Sequence, residues 1–333
     1  MKKKPKILVV GSFVMDLIVS TEKFPGSGET VLGKGFRTAP GGKGANQAIQ
    51  AARLGADVTM LGQVGDDEFG QKLIRSCLGS GIHTEFIRTD TGTSSGIGNV
   101  ILETDGTGRT RNRIIVVPGA NMTIKAENIA FLKDTIGQYD FVMLQLEIPM
   151  AINERVAQYA FEKGVPVMLN SAPSASLSPE LLSRLTYISP NEHEAADLTG
   201  IEIRRDGGPV DRDNVQKTVD TLLSRGVKNV VITLGNAGAV AATRNELIYQ
   251  PCADVVDVLD PTAAGDSFVG AFTVGICSGL SHGQALCFAN YAAALTVSGM
   301  GAQPSLPNLS AVIRLMKENG QREFDFSMLD VLR

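Results

Sequence analysis

Short β-rich runs alternating with helical patterns constrain this chain more than any other feature. Residues 7–10, 58–61, 141–146, 165–169, 187–189 and 230–234 have the length and apolar character of buried strands. Between them, residues 45–54, 151–163 and 213–225 carry helical patterns, and several such segments stop at Gly55, Gly164, Gly200 or Gly226. Glycine is the residue best suited to the left-handed turn that ends a helix. The alternation predicts an α/β fold of three layers, αβα, built on a mostly parallel sheet with helices on both faces. Two stretches break the rhythm. Residues 13–38 and 95–117 are β-like without helices, and Asp105-Gly106-Thr107-Gly108 reads as a hairpin turn. They predict a small sheet projecting over the active-site edge of the main domain.

Composition narrows the class. At 333 residues and 43% hydrophobic content, the chain can bury a substantial core as one large domain or two smaller ones. A net charge of −4 carries no global footprint for nucleic acid. No uninterrupted apolar run approaches the roughly 18 residues of a membrane span. Met1-Lys2-Lys3-Lys4 ahead of residues 7–10 imitates a signal peptide, but Asp16 arrives too soon and no small-residue cleavage pattern follows, so a first buried strand is expected. Cys77, Cys252, Cys277 and Cys287 have no metal-ligand spacing, and His83, His193 and His282 do not complete one. Reduced, buried thiols in a cytoplasmic protein are the expectation.

The densest chemical pattern is Asp260-Pro261-Thr262-Ala263-Ala264-Gly265-Asp266-Ser267-Phe268. Small residues let a backbone approach a ligand closely, and the free N–H groups of a helix start attract an anion. A carboxylate there would repel phosphate, which points to a base facing a transferred group; an ordinary Asp cap before a core helix is the competing reading. Pro40-Gly41-Gly42-Lys43-Gly44-Ala45-Asn46-Gln47-Ala48 enters the first long helix without the spacing of a P-loop. It is either a polar-ligand loop or a glycine-rich helix entry with a solvated lysine. Gln145-Leu146-Glu147, Pro190-Asn191-Glu192-His193-Glu194 and Thr233-Leu234-Gly235-Asn236-Ala237-Gly238 each follow a predicted strand, at the carboxyl edge where α/β sheets bind ligands. Asn191 and Glu194, about one turn apart, suit outer-sphere control of hydrated magnesium.

These motifs, with Gly11-Ser12 and Gly301-Ala302-Gln303-Pro304-Ser305, make the chain resemble the ribokinase and phosphofructokinase-B family of sugar and nucleoside kinases over residues 7–307. The resemblance implies ATP-dependent phosphorylation of the terminal 5-hydroxyl of a pentose, D-ribose to ribose 5-phosphate. In that reading Asp266 is the base, and Ala263, Ala264 and Gly265 present amides to the transferred phosphoryl group. Asp16, Gly42, Lys43, Asn46, Glu147 and Asp266 match sugar-side positions. Asn191, Thr233, Gly235, Gly238, Gly265 and Asn290 match nucleotide-side ones. Glu194 would act on Mg2+ through water. Asp260, Thr262, Thr296, Gly299, Gly301 and Ser305 match a K+ site, several through carbonyls; Pro261 loses one N–H there but keeps its carbonyl. The resemblance also implies a division into a main body (residues 1–12, 39–94 and 118–333) and a lid (13–38 and 95–117) that serves as a homodimer surface.

Val14 departs from the pattern, because many bacterial members carry an asparagine there that bonds a sugar hydroxyl. An apolar wall discriminates weakly, so relaxed preference between ribose and 2-deoxyribose is expected. A kinase for 2-deoxyribose, a hexose or a sugar phosphate is the enzyme alternative, and a catalytically silent sugar-binding regulator the non-enzyme one. Arg109, Arg111 and Arg113 share one strand face, as solvated charges or as an anion site.

Overall fold

The computed structural model describes residues 3–104, 110–203 and 210–333. Thirteen strands are formed among the described residues: β1 Lys6–Val10, β2 Val14–Thr21, β3 Gly35–Gly41, β4 Asp57–Gly65, β5 His83–Asp90, β6 Gly96–Thr104, β7 Thr110–Val117, β8 Phe141–Leu144, β9 Val167–Asn170, β10 Tyr187–Ser189, β11 Asn229–Thr233, β12 Ala239–Ala242 and β13 Leu247–Gln250. Nine of them make one sheet in the order β13-β12-β11-β10-β9-β8-β1-β4-β5. Its pairs are parallel from β11 through to β5, and antiparallel only at the β11–β12–β13 edge.

Period-two alternation explains why helices cover both faces. In β1, Ile7 and Val9 point into one core with Phe141 and Met143 of β8, while Leu8 and Val10 point into another with Val142 and Leu144. The first core is closed by apolar positions of the helices Lys43–Arg53, Ala264–Ser278 and His282–Val297, such as Ala48, Phe272 and Phe288. The second is closed by Met150–Glu162 and Arg212–Ser224 through Val156, Val219 and Leu222. This is the expected three-layer arrangement. Gly55, Gly164, Gly200 and Gly226 all take positive φ at the helix ends where they were predicted.

The remaining four strands form the predicted small sheet, ordered β3-β2-β6-β7. Its hairpins β2–β3 and β6–β7 are antiparallel, and a parallel β2–β6 pair joins them. The turn at residues 105–108 and Arg109 lie outside the described residues.

Strands β5, β12 and β13 were not anticipated, and the start of β9 differs from the expected one. Strand β5 is a partly exposed edge strand, so it needs no apolar run. Strand β12 is alanine-rich, with low intrinsic strand preference, and it is held by burial and by pairing to β11 and β13. Strand β9 starts at Val167 and not at residue 165, because Pro166 has no N–H to give to a ladder.

Strand order reverses between β1 and β8: β4 and β5 extend to one side, β9, β10 and β11 to the other. That reversal opens a crevice beyond the carboxyl ends of the two strands. Among the described residues, no helix is long and apolar enough to cross a membrane.

Candidate active site

The crevice is closed at its base by contacts between the two central strand ends. Ser12, just after β1, donates its hydroxyl to Glu147 Oε2, and Glu147 follows β8 by three residues. The same oxygen accepts the Lys43 backbone N–H at 3.0 Å, so a carboxylate from another segment caps the helix Lys43–Arg53. The glycine cluster is explained by this approach. A Cβ on Gly42 would come within 2.7 Å of Val14 N, and one on Gly44 within 2.5 Å of Ser12 N. Both contacts are to backbone, which cannot move aside cheaply. The cluster is therefore glycine-rich first because two loops touch there.

Asp266 lies in the first turn of the helix Ala264–Ser278 and is only 7% exposed. Its Oδ2 accepts from Asn46 Nδ2 at 2.9 Å and its Oδ1 from Gln47 Nε2 at 3.1 Å. The residue before the helix, Ala263, has φ 63° and ψ 10°, the only positive φ of a non-glycine among the described residues. Such a conformation costs roughly 1 kcal/mol or more and clusters at functional turns. Above the turn there is open space, since a Cβ on Gly265 would meet nothing within 4 Å. The Ala264 N–H is already engaged, donating to the Pro261 carbonyl at 3.3 Å.

A cavity of about 140 Å3 opens at this point, lined by Lys43, Asn191, Glu194 and Thr233 as well as by the Ala263-Ala264-Gly265-Asp266 turn. Sequence-distant segments from three strand ends (β9, β10 and β11) and three helix starts thus meet in one place. Burial alone would lower the Lys43 ammonium, but Asp266, Glu147 and Glu194 around it outweigh burial and hold its pKa above the ordinary value. Glu194 is pushed upward, by burial first, despite the Asn191 N–H and Lys43. Asn191 and Glu194 form a reciprocal cap: Asn191 N and Nδ2 donate to the two Glu194 oxygens at 2.9 Å each, and Glu194 N donates to Asn191 Oδ1 at 2.9 Å.

The other nucleotide-side residues stand further back. Gly235 and Gly238 form the turn between β11 and β12, where a Cβ on Gly238 would lie 2.1 Å from the Gln250 carbonyl. The Asn290 amide donates to the Pro251 carbonyl at 2.8 Å, tying the helix His282–Val297 to the loop after β13. None of these three lines the cavity.

Asp260 organises the loop that leads into the turn at Ala263. Its Oδ1 accepts from Thr262 N at 3.0 Å and Thr262 Oγ1 at 2.5 Å, and its Oδ2 accepts from Gly301 N at 2.9 Å. Burial would raise its pKa, but the Thr262 and Gly301 donors prevail and lower it. Ser305 donates to the Gly301 carbonyl at 2.7 Å, and Gly299 N to the Thr296 carbonyl at 3.2 Å. The Thr296 hydroxyl turns inward to Ser267 Oγ at 2.8 Å, so only its carbonyl remains for a cation.

In the small sheet, Asp16 of β2 pairs with Ala39 on one side and Gly98 on the other. A Cβ on Gly98 would lie 2.4 Å from Asp16 Oδ1, and one on Gly41 would lie 3.0 Å from Oδ2, so two glycines make room for this carboxylate. Burial, then Glu147 and Asp260, raise its pKa to about 6. Val14 opens β2, is buried, and pairs with Gly41 and Gly96. The Arg113 guanidinium sits 3.9 Å over the Phe24 ring, and Arg111 is exposed.

Sequence reasoning missed three site residues. Gln47, Gln145 and Asn170 are held in a hydrogen-bonded chain that ends on Asp266. Gln47 and Gln145 stood inside motifs already singled out, and an amide beside each named residue was the available signal. A larger cavity, about 590 Å3, lies at the far end of the helix Lys43–Arg53 beside Arg53, Ile313, Arg314 and Leu332, and holds none of the expected site residues. The chemistry is therefore assigned to the smaller one.

A three-layer α/β fold with a buried carboxylate at the start of a helix, beside the crevice of a parallel sheet, is the arrangement that the resemblance to sugar kinases implies, the class of phosphotransferases that act on an alcohol group. Comparison with known proteins agrees. The chain belongs to the pfkB family of carbohydrate kinases, whose profile matches residues 4–309. It is 37% identical over 310 residues to a ribokinase of Bacillus subtilis (strain 168), covering 93% of this chain and 99% of that one. It is 32% identical over 305 residues to a deoxyribokinase of Salmonella typhi, covering 91% of this chain and 96% of that one. Among solved structures, it is similar to the Arabidopsis thaliana ribokinase complexed with ribose and ATP, with a TM-score of 0.84 and 35% identity over 95% of this chain and 99% of that one.

Proposed function

We propose that this protein transfers the γ-phosphoryl group of ATP to the terminal 5-hydroxyl of D-ribose, forming ribose 5-phosphate in the cytoplasm. The observation that carries this reading is Asp266: a buried carboxylate at the entrance of a helix, with both oxygens oriented, beside Lys43 in one cavity. Asp266 takes the hydroxyl proton as the sugar oxygen attacks phosphorus. Gly265 and its neighbours offer first-turn N–H groups to the charge that develops on the phosphoryl oxygens. Lys43 stays charged and adds a point charge on that side. Asp16, Asn46 and Glu147, with the backbone at Gly42, hold the sugar. Asn191, Thr233, Gly235, Gly238 and Asn290 frame the nucleotide. The small sheet closes over the crevice and keeps water from competing as acceptor.

Two ions fit the residues present. The Glu194 carboxylate is buried beside the cavity at an energetic cost that a nearby dication would offset, so it suits a hydrated Mg2+ held mainly by phosphate oxygens. When bound, that ion would neutralise phosphate charge. Asp260, with the carbonyls of Thr296, Gly299 and Gly301 near the Thr262 and Ser305 hydroxyls, suits K+, which would brace the turn at Ala263.

The apolar, exposed edge of the small sheet supports a homodimer through the lid. Ile115 is 65% exposed and Phe36 67%, and β7 is an edge strand.

The reading is tested by ADP release over a panel of pentoses, hexoses, nucleosides and sugar phosphates. Asp266→Ala should cost about 10²–10⁴ in kcat while leaving ATP binding near the wild-type value. Full activity in that variant would overturn the assignment of the base. A second reading, 2-deoxyribose as an equal substrate, is favoured by Val14, which gives the sugar a wall and no hydrogen bond. The oriented carboxylate argues against a silent sugar-binding regulator, since binding alone needs no base.

A further inference from the structure

We propose that Gln47, steered by Gln145, is a positioning residue that sets the orientation of the Asp266 carboxylate; this rests on Asp266 being the base. Gln47 and Gln145 are both fully buried. Gln47 Nε2 donates to Asp266 Oδ1 and to Asn170 Oδ1, each at 3.1 Å. Its Oε1 accepts from Gln145 Nε2 at 2.7 Å. Asn170 Nδ2 in turn donates to the Ser189 carbonyl at 2.8 Å.

The amide directions in this chain are forced. A backbone carbonyl can only accept, so Asn170 must turn its NH2 toward Ser189 and its oxygen toward Gln47. An ionised Asp266 can also only accept. Gln47 therefore faces two acceptors and must give both its hydrogens to them, which leaves its oxygen for Gln145. Reversing Gln47 would set oxygen against two oxygens and NH2 against NH2 around a fully buried side chain.

Gln145 reaches this position only because Gly11 has no side chain, since a Cβ there would lie 2.0 Å from Gln145 Oε1. Among the described residues that oxygen has no hydrogen-bond partner, and the Gln145 side chain is held through its donation to Gln47.

The consequence for the base is geometric. A carboxylate offers about four lone-pair directions. Asn46 occupies one on Oδ2 and Gln47 one on Oδ1, which locks rotation about the Cβ–Cγ bond and leaves a defined direction for the incoming hydroxyl proton. The charged groups that act on the same site, Lys43 from the first helix, Glu194 from the helix Glu192–Thr199, and Glu147, Asp16 and Asp260 around Lys43 and the lid, are untouched by a change at Gln47.

The test uses the full chain with ribose, ATP, Mg2+ and K+. Gln47→Met keeps length and removes the donor; Gln47→Glu keeps shape and replaces the donor with an acceptor. Gln50→Met is the control for loss of a buried amide, because Gln50 lies on the same helix but bonds the Pro307 carbonyl and Ser267. Gln47→Met should lower kcat by about tenfold to a hundredfold while leaving KM for ATP and for ribose within about twofold. Gln47→Glu, which turns an acceptor toward Asp266, should lose at least as much kcat. Gln50→Met should lose thermal stability while keeping kcat within about twofold. The inference is overturned if both Gln47 variants keep the wild-type kcat while Asp266→Ala is silent, or if they lose kcat only in parallel with stability. If Asp266→Ala is itself fully active, the underlying assignment of the base fails instead.

Discussion

Asp16 joins stability to binding in a way that a single titration can separate. The perturbation is protonation of its carboxyl, first by pH and then permanently by Asp16→Asn. Burial, Glu147 and Asp260 raise its pKa from 3.8 to about 6 in the folded protein. Between those two values the folded state binds more protons than the unfolded state, so this group destabilises the fold as pH rises. The cost is fully present above about pH 6 and absent below about pH 3.8. A shift of roughly two units corresponds to up to about 3 kcal/mol. If Asp16 holds sugar hydroxyls as the charged form, roughly a tenth of the molecules carry that form at pH 5 and nearly all do at pH 7.5. The dissociation constant for ribose should then be about tenfold higher at pH 5 than at pH 7.5. Titration calorimetry with ribose, alongside thermal unfolding, reads both quantities on one sample. Asp16→Asn should bind ribose weakly with a flat pH dependence, and should unfold several degrees above wild type at pH 7.5 but not at pH 4. A ribose affinity that is equal at pH 5 and 7.5 in the wild type, or an Asp16→Asn protein no more stable at pH 7.5, would refute the reasoning.

Two further outcomes follow from the same geometry. Gly98→Ala should push the Asp16 carboxylate off its place, raising KM for ribose by on the order of tenfold with kcat nearly kept, because a Cβ would lie 2.4 Å from Oδ1; unchanged kinetics would mean that Asp16 does not hold the sugar there. Exchanging tetramethylammonium for K+ should raise wild-type kcat, and Asp260→Asn should abolish that response, because its carboxylate organises the Thr262 and Gly301 contacts; a variant that still answers to K+ would place the ion elsewhere.

Much of the site was legible because its parts are local. The Asn191–Glu194 spacing is a helical turn, and it becomes a reciprocal cap. Asp266 in its small-residue setting points to a helix start, and it lies in the first turn of one. Glu147 was placed at a strand end, and it follows β8. What eluded sequence reasoning depends on long-range partners. Nothing near Gln47 reveals that its amide meets residue 266, more than two hundred positions away. The glycines at 42 and 44 read either as a ligand loop or as a helix entry, and nothing local shows that their closest neighbours are the backbone of residues 11–14. Arg113 looked like one of three equivalent cations until Phe24 appeared beneath it.

By itself, the sequence determined the layered α/β fold, because alternation of period two inside strands and apolar stripes on helices is written in consecutive residues. It also carried the kind of chemistry, through the resemblance of its assembled motifs to a known family, whereas the Asp266 stretch alone left an ordinary helix cap open. Tertiary structure alone decided the strand order that opens a crevice between β1 and β8 and brought the ends of β9, β10 and β11 to one cavity. It also decided which groups face Asp266 and how Asp16 is shielded. Those are matters of burial and of distance between remote segments, and neither is a property of any short stretch of chain.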